Sequence, residues 1–222
     1  MPPVFFLIFV VLMIMAGVYA WHQERKRREE LHRWAFRYGW KMLGHSRDDW
    51  ASRYPGLALF GRGGGQVGDN IITGHFRGRA VTVLDYKYVT GSGNSRTTHH
   101  FGVVLMETGF PVVPLEIRRE HVFDKVGEFL GGGDIDFESA EFSRTFHVAS
   151  SDRKWAYDVI HARTMEYLLG APPFCIEFGF GEVAVYKMGR SRTADFEAQV
   201  EMAAKLIDLV PDFVVRQMKG ES

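Results

Sequence analysis

The order of apolar and polar residues changes character twice along the chain. From Val4 to Val18 every position is apolar or glycine, and no Asp, Glu, Lys, Arg or His occurs between Met1 and Trp21. Residues 24–44 then place Leu31, Trp34, Ala35, Tyr38 and Met42 at spacings of three and four, which predicts an amphipathic helix loosened by Gly39 and Gly44. From Leu57 the period shortens to two. The stretches 57–61, 69–76, 79–89, 98–107 and 112–118 are rich in Val, Ile, Phe, Tyr and Thr and are separated by glycine-bearing turns, so they predict strands. Arg77-Gly78-Arg79 reads as a hairpin turn. The following strand sets Val81, Val83, Asp85, Lys87 and Val89 on one face, with Thr82, Leu84, Tyr86 and Tyr88 on the other. Its expected partner is 98–107, reached through the glycine- and serine-rich tip at 90–97.

The second half mixes the two periods. A short helix is expected from His121 to Leu130, stopped by Gly131-Gly132-Gly133, then a strand at 141–149. Ser150 or Ser151 with Asp152 caps a predicted helix reaching Leu169, with Trp155, Val159, Ala162, Met165 and Leu169 on its apolar face. Phe174–Phe178 and Glu182–Met188 read as a hairpin around Gly179-Phe180-Gly181. A last helix from Asp195 carries Phe196, Val200, Ala203, Leu206, Ile207 and Val210 until Pro211 interrupts it. Strands gather early and helices late, without βαβ alternation, so the expectation is an α+β fold with a mainly antiparallel sheet, flanking helices and one preceding transmembrane helix.

About 20 apolar residues at about 1.5 Å each cover a hydrocarbon core about 30 Å thick, so the first segment is long enough to span a bilayer once. Val18-Tyr19-Ala20 has the small and apolar residues of a signal-cleavage site, which leaves an exported domain as an alternative, but no Lys or Arg precedes the apolar run. The cations follow it: Arg25, Lys26, Arg27, Arg28, Arg33, Arg37 and Lys41. Basic residues flanking a span are retained in the cytoplasm, so an uncleaved signal anchor is expected in the plasma membrane, N-terminus outside and C-terminal body cytoplasmic. The expected division is an anchor at 1–21, a basic juxtamembrane helix at 22–45 and a single domain at 46–222.

The chain carries 27 basic and 27 acidic residues. Residues 22–45 hold seven Lys/Arg and three Glu, which leaves 20 basic and 24 acidic elsewhere, so the neutral total hides a basic collar. Arg25, Lys26, Arg27 and Arg28 are its membrane-surface candidates, placed to attract anionic lipid head groups. No basic patch with interleaved aromatics marks the body, so no nucleic-acid partner is expected. The lone Cys175 excludes an intramolecular disulfide, fits a reducing compartment and reads as a small buried strand residue.

Chemical motifs are few. Gly63-Gly64-Gly65-Gln66-Val67-Gly68 matches G-x-G-x-x-G with Asp85 downstream, but Asp69-Asn70-Ile71-Ile72-Thr73 continues as a strand, where a dinucleotide site requires a helix. The stretch reads as a glycine turn between strands, and no cofactor is expected. His99 and His100 are the candidate catalytic pair, with Asp85 or Glu116 as partners. Neighbours on a strand point to opposite faces, so one histidine at most can line a given site, and no metal centre is assigned. Asp158 and His161 read as an exposed pair on one helix face. No G-x-S-x-G, H-E-x-x-H or cysteine-nucleophile signature is present.

The stretch Glu141-Phe142-Ser143-Arg144-Thr145-Phe146-His147-Val148-Ala149-Ser150, followed by Asp152, Ala156-Tyr157-Asp158-Val159-Ile160 and Met165-Glu166-Tyr167-Leu168, resembles the signature of a bacterial membrane-associated family known as a domain of unknown function. Asn70-Ile71-Ile72-Thr73-Gly74, Asp85-Tyr86 with Tyr88, and His99-His100-Phe101 resemble its actinobacterial form. The resemblance covers roughly residues 57–190. The chain departs from it in having one membrane segment where some relatives have two. It implies membrane association and brings no activity. The resulting expectation is a membrane-tethered binding or scaffolding module for a protein partner or lipid, with an enzyme built on His99 or His100 and Asp85 as the alternative.

Overall fold

The computed structural model describes residues 3–119 and 135–221. The fold is α+β: a long apolar N-terminal helix leads into an eight-stranded antiparallel sheet flanked by helices. Helix α1 (Pro3–Arg37) runs without a break from the apolar segment into the domain. Its described residues through Trp21 are all exposed, whereas Leu31, Trp34 and Ala35 are buried against the domain. The amphipathic stripe expected there is present, but it ends sooner. Gly39 adopts a left-handed conformation (φ +66°), and the bonds Trp40 N to Ala35 O (2.9 Å) and Gly39 N to Phe36 O (3.0 Å) close the helix as a Schellman cap. Met42, expected on the helix, lies in strand β1 (Lys41–Ser46).

After α2 (Trp50–Arg53) come β2 (Gly64–Phe76), β3 (Arg79–Thr90), β4 (Thr97–Glu107), β5 (Leu115–Arg119), α3 (Ala140–Thr145), β6 (Phe146–Ser150), α4 (Arg153–Val159), α5 (Ala162–Gly170), β7 (Cys175–Phe178), β8 (Glu182–Met188), α6 (Thr193–Leu209) and α7 (Asp212–Lys219). The strand order is β1-β2-β3-β4-β8-β7-β5-β6, with antiparallel pairing throughout.

Alternation along the strands separates two cores. On one face Ile72, Val81, Val83, Val104, Val183 and Val185 pack beneath α1 and α6, meeting Leu31, Trp34, Phe196, Val200 and Ala203. On the other, Leu84, Tyr86, Tyr88, Phe101, Val103 and Tyr186 pack beneath Trp50, Tyr54, Leu57, Leu59 and Phe60. Gln199, fully buried on α6, fixes that helix to the sheet by donating to the carbonyls of Gly102 (3.0 Å) and Val185 (3.2 Å).

Four expectations are corrected. Residues 57–61 form no strand: Ala58–Gly61 is a single 3-10 turn whose apolar side chains form the lid of the second core. The glycine stretch 63–68 is no turn, because β2 begins at Gly64, opposite Val89. The strand expected at 141–149 is divided, since Ser139 accepts from Phe142 N (3.2 Å) and starts α3, leaving β6 to begin at Phe146. The long helix to Leu169 is two helices. Asp152 caps the first as expected (Trp155 N, 3.0 Å), but the chain turns at Ile160 and His161. Asp158 consequently pairs with Lys154 (2.6 Å), while His161 Nε2 meets Leu209 O (2.9 Å). The helix expected from His121 to Leu130, with its glycine stop, lies outside the described residues.

A polar cleft where the N-terminal helix meets the sheet

Leu31, Trp34 and Ala35 hold α1 on the sheet, and two turns nearer the N-terminus the same stripe turns polar at Glu24 and Arg27. Arg27 reaches into the face of β3 that bears Val81 and Val83. There its Nη1 and Nη2 donate to the two oxygens of Asp85 (2.8 and 2.7 Å), and its Nε and Nη2 donate to Ser191 O (3.1 and 2.7 Å). Both side chains are about 85% covered (15% and 13% exposed), which makes this a partly buried bidentate pair. Asn70 Nδ2 adds a third donor to Asp85 (2.8 Å). Asn70 sits at a bulge between Asp69 and Ile72 with φ +50°, a conformation that suits its short amide side chain and aims it across the strand pair.

Beside this clamp is a cleft of about 270 Å³ lined by Glu24, Arg28, His45, Asp69, Asn70, Asp85, Lys87, His100 and Arg190. Its charges are arranged in pairs. Asp69 receives Lys87 Nζ (3.2 Å) and contacts His45 Nδ1 (2.5 Å), and Arg190 pairs with Glu24. Burial alone would raise the Asp69 carboxyl, but the bonds from His45 and Lys87 hold it below the usual carboxylate range. Partial burial, reinforced by the cations Arg190 and Lys87, pushes the His100 imidazole below its ordinary value, against the opposing pull of Asp85 and Asp69.

Of the residues singled out in the sequence, the cleft brings together His100 and Asp85. His99 points to the opposite face, where it bonds Thr90 Oγ1 (2.8 Å) and stacks on Tyr88 (4.9 Å between centroids). Glu116 also lies across the sheet, 3.5 Å from Arg62 and 3.6 Å from Arg118. Its register partner Glu177 is wholly buried and accepts from Tyr186 Oη (2.6 Å) and Leu59 N (3.0 Å). Burial, and then Glu116, push the Glu177 carboxyl upward, and Cys175 beside it is a buried thiol also pushed up. Arg27, grouped with the surface collar by its place in the chain, faces the domain. Arg25, Lys26 and Arg28 remain exposed.

Asp85 is an occupied acceptor that positions α1. The His45 and Asp69 contact is a geometry that could orient an imidazole base, but Asp69 is shared with Lys87, and no Ser, Thr or Cys lines the cleft to serve as nucleophile. Among the described residues, no group of three or more His, Cys, Asp or Glu is arranged to hold a metal ion. Arg27, His45, Arg190 and Glu177 were not marked by any motif. Their partners are remote in sequence, and the one local sign is the spacing of Glu24, Arg27, Leu31 and Trp34 on a single helix face.

No family model matches the chain, and no curated protein matches it in sequence. Among solved structures it is similar to the crystal structure of the mycobacterial trehalose monomycolate transport factor A, TtfA. The TM-score is 0.62 at 16% identity, over 83% of this chain and 94% of that one. The likeness is one of fold.

Proposed function

We propose that the protein is a single-pass membrane protein whose α+β domain serves the transport of a mycolate-type glycolipid as an accessory binding module. The observation that carries this reading is the fold likeness over 94% of TtfA, a trehalose monomycolate transport factor, in a chain that also has a helix long and apolar enough to cross a membrane. The arrangement of the domain supports binding rather than catalysis. Both faces of the sheet are filled by side chains, and the Asp85 carboxylate that a hydrolytic site would recruit is held by Arg27 and Asn70.

In this reading α1 is an uncleaved anchor with the N-terminus outside and the domain in the cytoplasm. The basic residues after Trp21 favour that orientation, and the continuous helix through Ala20 and Trp21 fits an anchor that stays attached. Divisions at 1–21, 22–45 and 46–222 belong to the same proposal, with the helical part of the middle segment, through Arg37, docking on the domain and its last residues joining the sheet as β1. The recognised partner is a protein of the lipid-transport assembly.

Depletion of the protein in its own host, followed by labelling of envelope lipids, tests the role. Accumulation of the monomycolate with loss of its downstream products is expected. An unchanged lipid profile at full depletion would refute the proposal. Protease treatment of right-side-out vesicles tests the orientation, which requires the domain to be protected until the membrane is opened.

A further inference from the structure

The two ends of the docked part of α1 fix its direction on the sheet. Arg27 is held beside Asp85, and the helix end is held by Trp40, whose indole donates to His75 O (3.0 Å) and lies against Gly74, the register partner of Val81. Arg27 to Arg37 spans about 15 Å of helix, while Asp85 to Val81 spans about 13 Å of strand. Helix and strand therefore run side by side in opposite chain directions. Continued the other way, Arg27 to Trp21 is about 9 Å and Asp85 to Tyr88 about 10 Å. Tyr88 and Val89 of β3, with His99 and Thr98 opposite them on β4, thus lie level with Trp21, where the apolar segment ends.

At that level is a groove of about 430 Å³, separate from the polar cleft apart from a shared edge at Lys87 and His100. Arg47, Lys87, Arg96 and His100 line it with Gln66 and Thr98, and no carboxylate is among its lining residues. Lys87 shares Asp69 at the edge (3.2 Å). Among the described residues, Arg47 and Arg96 have no acidic partner and are exposed. Arginines without an acidic partner, beside the Thr98 hydroxyl, match an oxyanion with several acceptor oxygens, and the arginine fork fits a phosphate with two parallel bonds.

We propose that this groove binds the phosphate-bearing head group of an anionic phospholipid in the leaflet that α1 enters, so that the hairpin of β3 and β4 forms a second membrane contact beside the anchor. The inference rests on the membrane-spanning reading of α1. Its position favours a lipid source over a soluble phosphate, since the groove sits where head groups are concentrated and tethered.

The full chain is incorporated into lipid nanodiscs with a fluorophore on Ser92→Cys or, as reference, on His75→Cys at the far end of the sheet. Cys175 is buried and stays unlabelled. In phosphatidylcholine discs containing phosphatidylglycerol and a head-group spin-labelled lipid, quenching at position 92 is expected to exceed that at 75 several-fold. It should fall towards the reference value in Arg47→Gln/Arg96→Gln, and on raising salt from about 0.1 M to about 1 M, which shortens the screening length from about 10 Å to about 3 Å. Unchanged melting of the double variant confirms that it is folded. Equal quenching at both positions in incorporated protein overturns the inference and leaves the anchor standing. Failure to incorporate overturns the anchor itself. Quenching indifferent to phosphatidylglycerol and to both arginines removes the anionic head group, and competition by inorganic phosphate reassigns the groove to a soluble anion.

Discussion

Arg27 grips both carboxylate oxygens of Asp85 across 58 residues of sequence, and in doing so locks the long N-terminal helix onto the middle of a sheet. Breaking a fully buried pair by removing one partner costs about 3–5 kcal/mol and an exposed pair about 0–1 kcal/mol, so this partly covered pair falls between, at about 2 kcal/mol. Arg27→Ala or Asp85→Ala should lower the melting temperature of the full chain in detergent by about 4–8 °C. The double variant should lose less than the sum of the two, because neither charge is then left unpaired. Additive losses would show that the two groups do not interact.

Glu177 gives the domain a pH dependence opposite in sign to that of an ordinary ion-paired carboxylate. Burial and the facing Glu116 raise its carboxyl, so the folded state keeps a proton that the unfolded chain has already released. The stabilisation is complete below the ordinary carboxylate range and is lost as pH rises through the folded value. Between about pH 5 and about pH 8 the melting temperature of the wild type should therefore fall more than that of Glu177→Gln, which has no proton to lose. Parallel curves would assign the slope to other groups.

Gly74 is fixed by what lies over it. A Cβ there would collide with the ring of Trp40, which is itself held by the bond to His75 O and by an edge contact with Trp34 (5.2 Å). Gly74→Ala should cost about 1–3 kcal/mol by overpacking. Gly64→Ala, facing open space, should be close to neutral in the same thermal assay.

His100 reports on the cations around it. Partial burial with Arg190 and Lys87 holds its imidazole below the ordinary histidine value, while Asp85 and Asp69 oppose them. In NMR titrations its midpoint should rise in Lys87→Ala and in Arg190→Ala, and should fall in Asp69→Asn. A midpoint unmoved by all three would place the ring outside their field.

Much of this was readable from periodicity. The alternation of β3 sorted Val81, Val83 and Asp85 from Leu84, Tyr86 and Tyr88 onto the two faces they occupy, and Asp152 announced its helix through an ordinary capping bond. Leu57–Gly61 misled because a continuously buried apolar run has the same composition whether it is a central strand or, as here, a lid. Residues 141–145 misled because Phe142 and Phe146 keep an alternating spacing although a capped turn separates them, and their rings then stack (4.8 Å). Half of the site was legible for the same reason that the other half was hidden. Alternation shows that His99 and His100 cannot share a face, but no local signal tells Arg27 that its partner is Asp85, or His45 that its partner is Asp69.

The docking of Trp34 on α6 also sets an order of events. Its indole donates to Glu197 (2.9 Å) and stacks near Phe196 (6.1 Å), groups that follow it by 163 and 162 residues. At about 5–20 residues per second, a ribosome needs about 8–30 s to supply that partner after Trp34 has been made. Through that interval Leu31, Trp34 and Ala35 have only the sheet side of their core to meet, at Ile72, Val81 and Val83. Closure of the first core is therefore a late, long-range step, completed only when α6 arrives to cover the stripe.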